Sequence, residues 1–185
     1  MQAPGITRQR RPFLAPIWLT FAAVLLVAFV ALGVYRSAAT TTVVVVRHAE
    51  KQLGTIEDPP LAPEGEARAE RLARLLGDAN GVGTIQGIYV TDTRRTQQTA
   101  APLAARLRLK PEIVAADDVR GVLARVRREH RGSRVLIVAH NNTVPQIVGH
   151  LAAVDVPPIA DDEYDDLYVV SVPTFGPSSV LRLTY

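Results

Sequence analysis

The 185-residue chain contains no cysteine, which excludes disulfides, thiolate nucleophiles, zinc ribbons and cysteine-ligated iron–sulfur clusters. That absence leaves the compartment open, because a domain large enough to bury a core is exported without disulfides. Charge is missing from a whole stretch: no acidic or basic residue occurs from Phe13 to Val34. Acids are missing from residues 1–36, where Arg8, Arg10, Arg11 and Arg36 supply a charge of +4. The rest of the chain holds 17 basic and 18 acidic residues. The formal +3 and the pI of 9.6 therefore belong to the N-terminal flank, and they give no argument for a nucleic-acid partner.

The uncharged segment is the first positive feature. Residues 13–34 span about 22 positions at roughly 1.5 Å each, enough to cross a hydrocarbon core of about 30 Å. Three arginines precede the span and one follows. The positive-inside bias then predicts a cytoplasmic N-terminus and an extracytoplasmic globular part. A cleaved signal peptide has a shorter apolar stretch, about 7–15 residues, so the length favours a retained signal anchor. Ser37-Ala38-Ala39 is the small-residue site that cleavage would use, giving a secreted domain instead. The expected organisation is a flank and anchor over 1–36, a linker over 37–42 and one domain over 43–185.

In that domain, Val43-Val44-Val45-Val46 is a continuous β-branched run, the pattern of a strand buried on both faces. Ala69, Leu72, Ala73 and Leu76 recur at helical spacing and Gly77 ends the segment. Further strands are expected at 85–90, near Ile113-Val114, at 135–138, at 167–172 and at 180–183. Helical faces lie between them: Thr96 to Leu107, Val119 to Val126 closed by Gly132, and Val144 to Leu151. Alternating strands and helices predict an α/β three-layer sandwich with a mostly parallel central sheet. The last two strands are expected to add an antiparallel edge.

Arg47-His48 falls at the carboxyl end of the first strand, Arg94-Arg95 opens the helix after the second, and His140 ends the strand at 135–138. Strand carboxyl ends of an open parallel sheet meet along one crevice, so two histidines and at least two arginines are expected to converge there. Such a cluster calls for an anionic partner. Guanidinium forks and helix N-termini suit phosphate. A neutral imidazole is able to attack phosphorus, giving a phosphohistidine that water hydrolyses.

These segments are similar to the histidine phosphatase superfamily, the phosphoglycerate-mutase-like fold. Val46-Arg47-His48-Ala49-Glu50-Lys51 resembles its R-H-G/A signature. The stretch from Tyr89 to Ala100, which contains Arg94-Arg95-Thr96-Gln97-Gln98-Thr99, resembles its S-x-L-x-R-A-x-Q-T-A segment. Val135 to Asn142 resembles its second-histidine strand and turn, and Leu61-Ala62-Pro63-Glu64-Gly65 the L-T-x-x-G opening of its first helix. The resemblance implies a metal-independent phosphatase with no cofactor, acting on a phosphomonoester, a phosphorylated saccharide or lipid, or a phosphoprotein. It implies His48 as nucleophile, with Arg47, Arg95 and His140 holding the phosphoryl group. Arg95 aligns with the family arginine, four residues before Thr99, which leaves Arg94 flanking. Asn141 stands where the phytase-like branch has an acid, so that branch is disfavoured. Glu112, Asp117, Asp118 and the acids of 161–166 remain as general-acid candidates, with Asp118 placed as a helix N-cap. A non-catalytic, membrane-anchored phosphate-binding or scaffold module is the alternative function.

The other notable residues have plainer expectations. A zinc site on His48 and His140 lacks a third ligand at metal spacing. His130 suits a helix C-terminus and His150 an exposed helix. Arg125, Arg127, Arg128, Arg131 and Arg134 read as a solvated helix face, with anionic lipid heads as the sharper alternative.

Overall fold

The computed structural model describes residues 17–37, 39–54, 57–77 and 84–185. The expected cytoplasmic flank with Arg8, Arg10 and Arg11 lies outside these residues, as do the first positions of the apolar span and Ala38 of the cleavage site. The chain divides into two units, 1–37 and 38–185. Within the first, helix α1 covers Ile17–Ser37. Its stretch Trp18–Tyr35 is long and apolar enough to cross a membrane, with none of it buried.

The second unit is a six-stranded sheet between two helix layers. Strand β1 (Thr40–Arg47) leads to α2 (Pro63–Gly77), β2 (Gly87–Thr91), α3 (Arg94–Leu107) and β3 (Glu112–Val114). Then come α4 (Val119–Glu129), β4 (Arg134–Ala139), α5 (Thr143–Ala152), β5 (Asp166–Pro173) and β6 (Ser179–Thr184). The strand order is β3-β2-β4-β1-β5-β6. The pairs β2–β3, β2–β4 and β1–β4 are parallel, while β5 runs antiparallel to both β1 and β6. The expected three-layer sandwich with its antiparallel edge is the fold observed.

Strand pleating explains the layers, since successive side chains point to opposite faces. Val43 and Val45 join Val135 and Ile137 against α4 and α5, where Val122, Val126, Ile147 and Val148 are buried. Val44 and Val46 join Ile88, Val90, Leu136 and Val138 against Leu72, Ala73, Ala100 and Leu103 of α2 and α3. The run of four valines thus feeds two cores. β6, at the edge, is exposed throughout.

The linker read over 37–42 is shorter than expected. Thr40, Thr41 and Thr42 are β1 residues paired with Pro173, Val172 and Ser171. Threonine is β-branched and suits a strand, and Thr41 Oγ1 accepts the Gly132 N–H at 3.0 Å. Its small polar side chain reads as linker in sequence only because its partners lie some 90 to 130 residues away.

Candidate active site

His48 and His140 both sit just past strand ends, and the parallel pairing of Arg47 with Ala139 puts them side by side. The His48 N–H donates to the Ala139 carbonyl at 2.9 Å, continuing the ladder by one residue. The two imidazoles meet edge to face with centroids 5.4 Å apart. Both are buried, as is Arg47. They open on a cleft of about 400 Å³ whose lining also includes Arg95, Lys51, Thr93, Asp117 and Asp161. The N-terminal residues of α5, Asn142 and Thr143, line it as well, which adds the positive end of a helix. His48, His140, Arg47 and Arg95 are therefore brought to one place. Arg94 is exposed and off the cleft.

Each group is held by neighbours that fix its chemistry. The His48 ring Nδ1 lies 2.8 Å from the Ala49 carbonyl, which only accepts, so Nδ1 carries the proton and Nε2 keeps its lone pair. Burial, followed by the charges of Arg95, His140 and Arg47, lowers the His48 pKa to about 3. Burial and Arg95 lower that of His140 to about 4. Both rings are thus neutral near pH 7. Nδ1 of His140 lies 3.5 Å from the Arg95 guanidinium, and a guanidinium only donates. Nε2 of His140 therefore carries the proton and donates it to Thr91 Oγ1, at 3.0 Å.

Arg47 donates Nη1 to the carbonyls of Ala160 and Glu163, at 2.7 and 2.8 Å. Its guanidinium carbon lies 4.0 Å from the Tyr164 ring centre. Arg95 Nη1 lies 3.5 Å from Asp58 Oδ1, and the same carboxylate accepts the backbone N–H of Arg94 at 3.0 Å. Nε of both Arg47 and Arg95 is buried without a hydrogen-bond partner. Buried donors of this kind carry a desolvation cost until an acceptor arrives. Two such donors beside two neutral imidazoles form a receptor for a tetrahedral oxyanion.

The motif residues around the site have mechanical roles. Thr99 Oγ1 donates to the Arg95 carbonyl at 2.7 Å and accepts the Ala49 N–H at 3.0 Å. It thereby ties the helix bearing Arg95 to the residue after His48. Gln98 Oε1 accepts the Leu61 N–H at 2.8 Å. Gly65 lies where any Cβ would run into the Glu50 backbone, so only glycine lets α2 approach the loop after His48.

The acid candidates separate cleanly. Asp118 caps α4 by accepting the Gly121 N–H at 2.8 Å, as expected. Glu112 lies on β3, 4.0 Å from Arg125 and away from the cleft lining. Asp117 and Asp161 line the cleft, and Asp161 accepts from Asn141 at 2.8 Å. Asp166 is buried and bound by Arg182 at 2.7 Å. His130 caps the C-terminal end of α4 against Tyr89, and His150 is exposed. Sequence reasoning missed Asp58, Thr91 and Tyr164. The available signal was that Asp58 falls in the loop following β1 and Tyr164 just before β5, whose start lies beside the end of β1.

Residues 43–118 match the family model of the histidine phosphatase superfamily (branch 1). No curated protein matches the chain. Among solved structures, the protein histidine phosphatase SixA complexed with tungstate is similar, at 21% identity and a TM-score of 0.65. The match covers 77% of this chain and 96% of that one. A structure from Nakamurella multipartitia, assigned as a phosphohistidine phosphatase SixA, shares 21% identity, with 79% and 96% of the two chains covered and a TM-score of 0.58. A mycobacterial glucosyl-3-phosphoglycerate phosphatase shares 15% identity over 71% and 90%, with a TM-score of 0.57. At these identities the likeness is one of fold. The family resemblance carried by the motifs is borne out by the model match and by that shared fold.

Proposed function

We propose that this domain, which has the fold of the histidine phosphatase superfamily and matches its family model over residues 43–118, is a metal-independent phosphatase acting through a phosphohistidine at His48. One observation carries the reading. The imidazoles of His48 and His140 are 5.4 Å apart, beside two arginines whose buried Nε–H groups have no acceptor.

The His48 Nε2 lone pair attacks phosphorus in line, and the bond from phosphorus to the leaving oxygen breaks. The leaving oxygen takes a proton from Asp117 or Asp161, the two candidate acids on the cleft. Water then attacks the phosphohistidine and gives its proton to the same carboxylate. The N–P bond breaks, releasing phosphate and neutral His48. Arg47 and Arg95 neutralise the equatorial oxygens, which is the larger part of catalysis in phosphoryl transfer. A bound dianion opposes the charge of Arg95, so His140 takes up a proton and donates it to a third oxygen. The similar structures named above include phosphatases of protein phosphohistidine and of a phosphorylated saccharide acid. A phosphoprotein and a phosphomonoester are accordingly the two substrate classes to try.

The apolar helix over Trp18–Tyr35 supports a signal anchor, and the three arginines before it against one after support a catalytic domain outside the cytoplasm. That placement disfavours an intracellular mutase. A C-terminal reporter active only after export should be active, and an inactive one overturns the orientation.

Hydrolysis of an aryl phosphate by the full chain in detergent and chelator tests the activity. His48→Ala should lower it at least about 1,000-fold, as loss of a nucleophile does, and abolish acid-labile phosphorylation of the protein. Equal rates for the two proteins would leave a phosphate-binding module instead.

A further inference from the structure

We propose that Glu112, Glu129 and His130, at the end of the sheet opposite the cleft, form a structural site for a divalent transition-metal ion of the zinc type. The inference is independent of the catalytic reading.

Topology brings the three residues together. Glu112 opens β3 and stands level with Tyr89 of β2 in their parallel register. Glu129 ends α4 and His130 is its C-cap. Thr93 after β2 and Ala116 after β3 line the cleft, so the amino ends of these strands lie away from it. One ligand atom from each of the three side chains lies within 4.8 Å of the other two. Donors around a tetrahedral zinc sit roughly 3.3–3.6 Å apart, given bonds of about 2.0–2.2 Å. Both glutamates are exposed, so a small swing of their side chains closes the gap.

Two further observations point to a ligand. Tyr89 is fully buried, yet its hydroxyl has no hydrogen-bond partner. The charges acting on it most are the carboxylates of Glu112 and Glu129, and its ring meets that of His130 edge to face at 5.7 Å. The hydroxyl therefore faces the cluster. Left unsatisfied it costs stability. A carboxylate drawn in by a cation would accept from it, as outer partners do around metal ligands. The second observation is Gly87, two residues before Tyr89 and so on the same face of the sheet. A Cβ there would stand 2.5 to 3.2 Å from atoms of the His130 ring. Glycine thus makes the seat in which the imidazole is held, and the ring's Nε2 is itself buried without a partner.

Ligand chemistry selects the ion. One imidazole with two carboxylates suits zinc and its neighbours, whereas magnesium and calcium take oxygen ligands. Arg125 stands 4.0 Å from Glu112 and Arg128 2.6 Å from Glu129, with side chains 41% and 70% exposed. Exposed pairs of this kind are screened and weak, so a divalent ion displaces them. Once bound, it would tie the three-residue edge strand β3 to the last turn of α4. The segment closed in this way carries Asp117 on the cleft and the helix cap Asp118.

The chain has 4 histidines, two of them in the cleft. Zinc binding is therefore measured on the full chain in detergent carrying His48→Gln and His140→Gln, by competition with a chromophoric chelator. One equivalent should bind. At about 100 times its dissociation constant, zinc should raise the melting temperature by roughly 5–10 °C over the chain in chelator. Glu112→Gln and His130→Gln should each weaken binding at least about tenfold and remove most of that rise, whereas His150→Gln should change neither. With the catalytic histidines intact, Glu112→Gln should leave aryl phosphate hydrolysis within about twofold, as an exposed change remote from the cleft does. Glu112→Gln with Glu129→Gln takes the place of His130→Gln if that variant fails to fold. Zinc binding weaker than millimolar, or binding and melting indifferent to Glu112 and His130, overturns the proposal. A zinc-binding chain that hydrolyses nothing overturns only the catalytic reading.

Discussion

Arginine is used in opposite ways at the two ends of the sheet. At the carboxyl end, Arg47 is 4% exposed, tied to two carbonyls and stacked on Tyr164. Arg95 is half-buried against Asp58 and His140. At the amino end, Arg127 and Arg131 stand in solvent. An exposed guanidinium costs the fold little. A buried one is expensive unless paired, and burial lowers the proton affinity of Arg47. At Arg47 the fold carries that cost beside two neutral histidines, which is what a pocket awaiting an anion requires. A guanidinium anchored by carbonyls, as Arg47 is, suits a defined geometry.

The comparison is broken most severely by removing an arginine from each end. Arg95→Ala should lower kcat/KM for an aryl phosphate by about 100- to 1,000-fold, the usual cost of one transition-state donor. Arg95→Lys should recover only part of that, because an ammonium lacks the planar fork. Arg127→Ala should leave the rate within about twofold, as a surface change remote from the cleft does. Steady-state kinetics on the three proteins decides it, and similar losses for Arg95→Ala and Arg127→Ala would erase the distinction between the ends.

Acid should expose the next difference. The unfolded chain protonates His48 and His140 near pH 6.5, whereas the folded protein does so only near 3 and 4. Between those limits the unfolded state binds more protons. The stability from keeping these rings neutral is therefore full above pH 6.5 and falls as pH drops toward 4. Melting temperature should decline across pH 6.5 to 4 more in the native chain than in His48→Gln with His140→Gln. In parallel, kcat/KM corrected for substrate ionisation should keep its acid limb below pH 5. A limb near 6.5 would mean that the nucleophile is not held neutral by burial.

Much of this architecture is legible in the sequence because local signals agreed with long-range ones. The valine run, the arginine before His48 and the spacing of Arg95 to Thr99 each mark a strand end or a helix turn. Strand order then does the remaining work, since a parallel β1–β4 pair sets His48 beside His140. Asp118 as a cap is readable for the same local reason. Asp58 and Tyr164 are not, because what they do depends on where two irregular loops fold back over the cleft. Thr40–Thr42 escape for a related reason: their strand character comes from partners at 171–173. The acidic loop 161–166 divides by neighbours that its composition does not encode, with Asp161 on the cleft and Asp166 held by Arg182.

Thr91→Val probes the carboxyl end with a change of nearly constant volume. Thr91 Oγ1 accepts from His140 Nε2 and also meets Thr93 and Thr96, at 3.1 and 2.9 Å. Valine leaves the buried Nε2–H without an acceptor, at a cost of about 1–3 kcal/mol. A lower melting temperature and a raised KM are expected, with kcat reduced less. If KM is unchanged while kcat collapses, His140 acts in the chemical step and not chiefly in holding the phosphoryl group.

Asp58→Asn should give the smallest effect, and its direction is informative. The asparagine carbonyl still accepts the Arg94 N–H, so the start of α3 survives. What is lost is the negative charge 3.5 Å from Arg95. Asp58 is 40% exposed in its side chain, so solvent screens the pair and its worth is about 0.2–1 kcal/mol. If Asp58 competes with an incoming oxyanion for Arg95, inhibition by inorganic phosphate should tighten by about two- to fivefold, the same energy expressed as affinity. If instead Asp58 aims the guanidinium into the cleft, the same substitution weakens phosphate inhibition. The inhibition constant thus distinguishes a pocket that holds Arg95 in reserve from one that holds it in place.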